Sequence, residues 1–345
     1  MTAQIIPDIY FSIIIPVYNQ EKYIKRAILS VLNQGFKEFE IIIINGGSTD
    51  KTGDIINEYA NKDKRIIVVN QLKKESIHIA RIDGVATANG KYILFLDGDD
   101  YFSENAFAIL YDMVQKNPGY DFYEYGYIIQ PTGEIIIPLL CENDRFMLYF
   151  MKNDLLTNIL WNKLYDTIIL KESFLSMEKI CLSHLEDVYE SVVIAFYSKK
   201  IMQIEDVILN YQLYSGDSTI YKDFDSTVML LESYKKMIIL VENFLKKNNL
   251  SISLDNLNYR LLVYIVYNYL NTQKNNEDKR KLYNLLSKYF NINLILEYLF
   301  QREEFYKQEI KILTNSKNYR LGKLILEPLR KIKRIIKLFN YNMYY

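Results

Sequence analysis

Between residues 11 and 97, short β-branched apolar runs alternate with stretches of helical period. The runs are FSIIIPVY, EIIII, RIIVVN and YILFLD, each too continuous for a strand with one wet face, so they predict a parallel sheet covered on both sides. Between the first two, Tyr23, Ile24, Ala27, Ile28, Val31 and Leu32 recur at helical spacing, with Asn19 placed to cap the start and Gly35 to close the end. Ser48 is the expected N-cap of a second helix carrying Ile55, Ile56 and Tyr59, and Ile79, Ala80, Val85 and Ala86 mark a third. Right-handed βαβ crossovers then bring the loops at 16–19, 45–50, 70–76 and 97–100 to one sheet edge, where open α/β sheets bind ligands.

The pattern changes after a helix predicted near 103–117. DFYEYGYIIQPTGEIIIP reads as two antiparallel strands around a Pro131-Thr132-Gly133 turn, residues 146–200 read as mostly helical, and KIMQIEDVILNYQLY reads as two further strands. From about 226 to 312 the chain is amphipathic helix in several pieces. The predicted organisation is an α/β domain over 1–220, a helical appendage over 221–312 and a tail over 313–345.

Composition narrows the function classes. Lys+Arg and Asp+Glu balance at 42 each, which argues against nucleic acid as a partner. Cys141 and Cys181 cannot build a disulfide framework, and the start MTAQIIPDIYFS lacks the order of a signal peptide, so a reducing cytoplasm is the expected setting. No apolar run reaches the ~18 residues of a spanning helix. With only His78 and His184, each without a visible partner cluster, both are read as structural or surface residues, and any metal should be a hard cation held by oxygen.

The chemistry concentrates in KYILFLDGDDYF, where an apolar strand runs into Asp97, Asp99 and Asp100. Like charges this close need a cation, donors or solvent between them. An Asp-x-Asp at a strand's carboxyl end can hold a divalent ion bridging two phosphates, with Gly98 leaving room; an Asp-Gly turn in an exposed loop is the alternative. Glu186 and Asp187 stand at the start of an apolar helix, whose N-terminus favours their charged forms.

SIIIPVYNQEKYIKRAILSVLNQGFKEFEIIIINGGSTDKT and ESIHIARIDGVATANGKYILFLDGDD, with the later LWNKLYD and HLEDVYE, resemble the family-two inverting glycosyltransferases of GT-A fold, of bacterial surface-polysaccharide type. The resemblance implies a GT-A nucleotide-diphospho-sugar transferase fold, a mixed and mainly parallel sheet with helices on both faces, followed by a helical region. It implies that Pro16, Val17 and Tyr18 line the nucleotide pocket with Glu21 nearby, and that Arg81 binds the donor. Asp99 would ligate Mn2+ or Mg2+, and Asp97 would reach the ribose as well as the metal. Asp187 becomes the general base, with Glu186 as second choice, and Trp161, Asn162 and Lys163 fall beside the acceptor. For Trp161 a place in the aromatic core is the competing reading.

Two positions depart from that family. Its second-strand loop usually reads Asp-Asp-Gly-Ser, and the second Asp commonly bonds uracil; here the loop is Asn45-Gly46-Gly47-Ser48. Either a backbone group or Asn45 replaces that contact, or the base is not uracil, or donor binding has decayed. A UDP-sugar is the favoured donor, and Gly46 weakens that choice. In YQLYSGDST relatives often carry Arg or His, where this chain has Gln212 and Tyr214, with Lys222 a few residues on.

The tail sets Leu321, Leu324, Ile325, Leu329, Ile332, Ile335 and Ile336 near one helical face among seven basic residues, with Pro328 as a kink. That pattern suits peripheral contact with the inner face of an anionic membrane, or packing on the protein or a second subunit. The resemblance implies a hexosyl- or N-acetylhexosaminyl-transferase acting on a glycan or polyprenyl-linked acceptor, and an oligomer is compatible with it. A non-catalytic binding or scaffolding subunit is the rival reading. A nucleotidyltransferase is the distant one, since IIPVYNQEKY lacks a Gly-rich phosphate loop.

Overall fold

The computed structural model describes residues 9–72, 75–138, 159–213, 224–252 and 254. The chain divides into two compact units, residues 1–218 with 235–251, and residues 219–234 with 252–345. The appendage beyond residue 254 and the whole tail from 313 lie outside the described residues.

The first unit is built on one nine-stranded sheet. Strands β1 (Phe11–Val17), β2 (Phe39–Asn45), β3 (Ile66–Asn70) and β4 (Tyr92–Phe95) are parallel in the order β3-β2-β1-β4. Every residue of β1 and β2 is buried, which is why those runs read apolar without alternation. At about 1.5–3 kcal/mol for each fully buried Ile or Val side chain, this half of the sheet is the main stabilising element.

Two buried polar side chains interrupt the apolar run, and each has partners. Ser12 Oγ donates to Glu40 Oε1 at 2.6 Å and accepts from the N–H of Gly90 at 2.8 Å, while the N–H of Asn89 donates to the same Glu40 oxygen at 2.6 Å. These bonds tie the start of β1 and β2 to the turn that enters β4.

The crossovers are helices α1 (Ile24–Leu32), α2 (Thr52–Lys62) and α3 (Ile77–Thr87). Their starts differ from the expected caps. Asn19 and Ser48 serve each other's loops instead: the Asn19 N–H donates to Ser48 Oγ at 3.0 Å, and Asn19 Oδ1 accepts from the Thr49 N–H at 2.8 Å. Helix α3 is capped by Ser76, whose Oγ accepts from the Ile79 N–H at 3.5 Å.

Beyond β4 the sheet becomes mixed. A two-residue strand β5 (Tyr101–Phe102) precedes α4 (Ala106–Lys116), and β6 (Phe122–Gln130) with β7 (Glu134–Ile136) forms the hairpin around the Pro131-Thr132-Gly133 turn. LWNKLYD contributes a strand, β8 (Lys163–Asp166), antiparallel to β4, inside a stretch expected to be mostly helical. Helices α5 (Thr167–Ser176) and α6 (Glu186–Tyr197) follow.

KIMQIEDVILNYQLY forms one strand, β9 (Ile201–Gln212), rather than two. It lies parallel to β6 with a register shift beside Glu124 and Gly126. The exposed Glu205 and Asp206 sit where the ladder bulges. Helix α7 (Phe224–Lys247) closes the described chain. Among the described residues no helix is long and apolar enough to cross a membrane.

Candidate active site

The loops that follow β1, β2, β3 and β4 meet over the carboxyl ends of those strands and enclose a cleft of about 320 Å³. Pro16, Val17, Tyr18 and Gln20 line it from the first loop, Ile44 and Gly46 from the second, and Gln71 from the third. Glu75, Ser76, Ile77 and Ala80 add the start of α3, and Asp97, Gly98 and Asp99 close it. A Cβ at Gly98 would lie 3.1 Å from Val17 Cγ2 and 3.4 Å from Gln20 Cγ, so glycine lets the acidic turn press against the first loop.

The acidic turn is held from two sides. The Asp100 N–H donates to Asp97 O at 3.0 Å, and Asp100 Oδ1 accepts from the Gln212 N–H at 2.7 Å. Arg26 on α1 donates from Nη2 to Asp99 O at 2.7 Å and to Gln212 Oε1 at 3.0 Å. A cation therefore stands at Gln212, and it comes from another element, α1. Tyr214 and Lys222 lie outside the described residues.

Three acceptors of this cleft have no donor: Gln20 Oε1, Gln71 Oε1 and Asp97 Oδ1 are buried and unbonded. Burial pushes the Asp97 carboxyl up to about 7; Arg81 opposes that shift and the neighbouring Asp99, Asp187 and Glu190 add to it. Asp100 is likewise driven well above the usual carboxylate range by burial and by Asp97 and Asp99. A carboxylate left this far from ionised is one that a cation would restore. Among the described residues no three acids, histidines or cysteines are grouped to cage a metal alone. Two carboxylates beside a cleft instead fit a divalent ion that completes its shell with phosphate oxygens and water.

Arg81 does not line the cleft. Its side chain lies beneath it, 2% exposed, bonded through Nη1 to Asp187 Oδ1 and to Glu190 Oε2 at 2.8 Å, and 4.0 Å from both Asp97 and Glu186. One guanidinium thus joins the acidic turn after β4 to the first turn of α6. Asp187 keeps 34% of its side chain exposed, and Glu186 keeps 13%. Burial raises the Asp187 carboxyl above its usual range, Arg81 opposes, and Glu190 adds to the rise. Burial together with Asp187 brings Glu186 up to about 8.

Glu190 escaped the sequence reading, and His78, read there as structural or surface, is structural. His78 is fully buried, with Nδ1 2.7 Å from Glu190 Oε1 and Nε2 3.0 Å from Glu178 O. It is no surface residue, and it has the partner that the sequence did not reveal. A signal existed: Glu190 stands three and four residues after Asp187 and Glu186 on one helix, and His78 three before Arg81 on another, so each shares a face with a recognised residue.

The remaining expected residues occupy other places. Glu21 is exposed, and its Oε2 accepts from the Lys51 N–H at 3.0 Å. Asn45 is buried and engaged on both sides, donating to Asn70 Oδ1 at 3.0 Å and accepting from the Ser48 N–H at 3.1 Å. Trp161 is 5% exposed and stacks on Tyr211 at 5.0 Å with the rings 10° apart. Asn162 and Lys163 are buried beside Glu124, with Lys163 Nζ 3.3 Å from its carboxylate.

Residues 12–164 match the family model Glycosyl transferase family 2. The glycosyltransferase EpsJ of Bacillus subtilis (strain 168) is 42% identical over 106 residues, which cover 31% of this chain and 30% of EpsJ, so the match spans under a third of that relative. Among solved structures, S. aureus TarS 1–349 in complex with UDP aligns with a TM-score of 0.57 at 17% identity, over 95% of this chain and 91% of that one. Mannosyltransferase PcManGT from Pyrobaculum calidifontis, in complex with GDP-Man and Mn2+, aligns at 0.50 and 12% identity over 92% and 84%.

Proposed function

We propose that the protein, whose residues 12–164 match the model of glycosyl transferase family 2, is an inverting glycosyltransferase that passes a sugar from a nucleotide-diphospho-sugar to a hydroxyl of a glycan or lipid-linked acceptor. The observation that carries the reading is the cleft itself, whose lining residues Gln20, Gln71 and Asp97 each hold a buried acceptor with no donor. Buried acceptors are costly when unmet, so a ligand that supplies N–H or O–H groups and a cation is favoured there. A nucleoside diphosphate with its metal supplies all three.

In this mechanism the loop at Pro16, Val17 and Tyr18 seats the nucleoside, and Asp97 accepts from ribose while facing the metal site. Asp99, with Asp97, would hold Mn2+ or Mg2+. When bound, that ion supplies Lewis-acid stabilisation of the departing diphosphate. Asp187 takes the acceptor's proton as the sugar is transferred in a single displacement with inversion. Its carboxylate is aimed by the Arg81 bond on one side and is open on the other. The raised Asp187 carboxyl is a stronger base than an exposed aspartate, which suits proton abstraction near neutral pH.

We take residues 1–220 as the transferase domain, working at the cytoplasmic side of the membrane. Contact with the membrane through the tail rests on the sequence pattern alone. The test is release of nucleoside diphosphate from UDP-, GDP- and TDP-sugars with Mn2+ or with chelator. Metal-dependent release that Asp187→Asn abolishes supports the reading; native protein inert toward every donor, and unable to bind any, supports a non-catalytic subunit instead.

A further inference from the structure

We infer that Gln71 reads the base of the donor nucleotide, taking over the contact that residue 46 cannot make. The inference rests on the nucleotide-sugar reading above. Gln71 directly follows β3, and its backbone N–H is fixed on Asn45 O at 2.9 Å. Its side-chain Nε2 donates to Asp83 Oδ2 at 3.1 Å, and Asp83 Oδ1 accepts from Lys179 Nζ at 2.8 Å. Because an ionised carboxylate only accepts, that bond sets which way round the amide sits. Oε1 therefore points the other way, and it has no donor.

The place it points to is the one that Gly46 leaves empty. A Cβ built on Gly46 would stand 3.8 Å from Gln71 Oε1, and both residues line the cleft. Asn45, the residue before Gly46, donates to Asn70 Oδ1 and accepts from the Ser48 N–H. Beside Gly46 the wall therefore offers the base the Gln71 acceptor, whose donor partner must come from outside.

That chemistry selects among bases. Uracil and thymine carry a ring N–H at N3, and guanine carries one at N1; each can donate to Oε1. Cytosine and adenine present an unprotonated ring nitrogen at the equivalent position, so two acceptors would face each other. The ligand class is thus a nucleoside diphosphate whose base has a ring N–H.

The experiment is titration calorimetry of the full chain with UDP, TDP, GDP, CDP and ADP in the presence of Mn2+, on the native protein, Gln71→Leu, and Gln71→Leu combined with Gly46→Asp. Leu retains most of the bulk, and Asp83 keeps Lys179. The Gly46→Asp change is sterically open, since the atom nearest the new Cβ, Val17 O, is 3.5 Å away. Should the Leu variant melt below the native protein, Gln71→Met repeats the test.

At least one of UDP, TDP and GDP should bind roughly tenfold or more tightly than CDP and ADP. Gln71→Leu should erase that preference, and Gly46→Asp should restore it by returning an acceptor to the same wall. Native affinity and preference in both Gln71→Leu and Gln71→Met, or equal binding of all five nucleotides by the native protein, would overturn the assignment while leaving the nucleotide site standing. Binding of none of the five overturns the site and the assignment together.

Discussion

Arg81 and Glu190 share a bond of 2.8 Å between two side chains that are 2% and 0% exposed, and the other Glu190 oxygen lies 2.7 Å from His78. Both His78 ring nitrogens lie within hydrogen-bond distance of oxygen atoms, so the Glu190 carboxylate is flanked by the Arg81 guanidinium on one side and the His78 ring on the other. Removing it strands them. Glu190→Ala should cost about 3–5 kcal/mol of unfolding free energy, the range for breaking one side of a buried ion pair. Urea denaturation measures it, and a change within 0.5 kcal/mol, about the effect of an ordinary surface substitution, would deny the pair its anchoring role.

Asp187 is the other partner of the same guanidinium nitrogen. Asp187→Asn keeps the shape and removes the proposed base, so kcat should fall about 10²–10⁴-fold while KM for the donor stays near native. Steady-state kinetics on the preferred donor separate the two. Full turnover in the variant would move the base elsewhere, with Glu186 next in line.

Glu186 makes stability depend on pH. Burial, with Asp187 adding and Arg81 opposing, raises its carboxyl from the usual 4.5 to about 8. The folded state then holds a proton that the unfolded chain has released, so the contribution is complete below about pH 4.5 and is lost as pH rises through about 8. Melting temperature should decline across that interval, and Glu186→Gln should flatten the decline. An identical slope in the variant would mean that other groups carry it.

Gly90 tests the tie between β1 and the turn before β4. An added Cβ would meet the Ser12 nitrogen at 2.7 Å and the Phe11 carbonyl carbon at 2.8 Å, both backbone atoms that cannot swing aside. Gly90→Ala should destabilise by at least the ~1–3 kcal/mol of overpacking a tight core. Chemical denaturation measures the cost, and native stability in Gly90→Ala would show that the tie has slack.

The parallel half of the sheet was legible because burial on both faces leaves an unbroken apolar code, seen in Ile13–Ile15 and Ile41–Ile44. Asp97 and Asp99 were legible for a related reason, as charges set against such a run. Helix starts were not, because Asn19 and Ser48 bond to each other's loops across 29 positions. The same distance in sequence hid the base of the site: His78 and Glu190 are 112 residues apart, and neither is unusual until the other is beside it. Arg81 shows the limit most clearly. Its motif predicted a donor ligand, and what no sequence pattern revealed is its burial among four carboxylates, where it joins the acidic turn after β4 to the first turn of α6.

The acidic turn after β4 is proposed to complete a site for a metal and a diphosphate together. Melting temperature of the native protein and of Asp99→Asn, with Mn2+, with UDP or GDP, and with both, tests this directly. At a hundredfold excess over its dissociation constant a ligand adds about 2.7 kcal/mol to the native state. The native protein should melt higher with metal and nucleotide together than with either alone, and Asp99→Asn should lose that gain. No rise with any combination, or the same rise in the variant, would contradict the site.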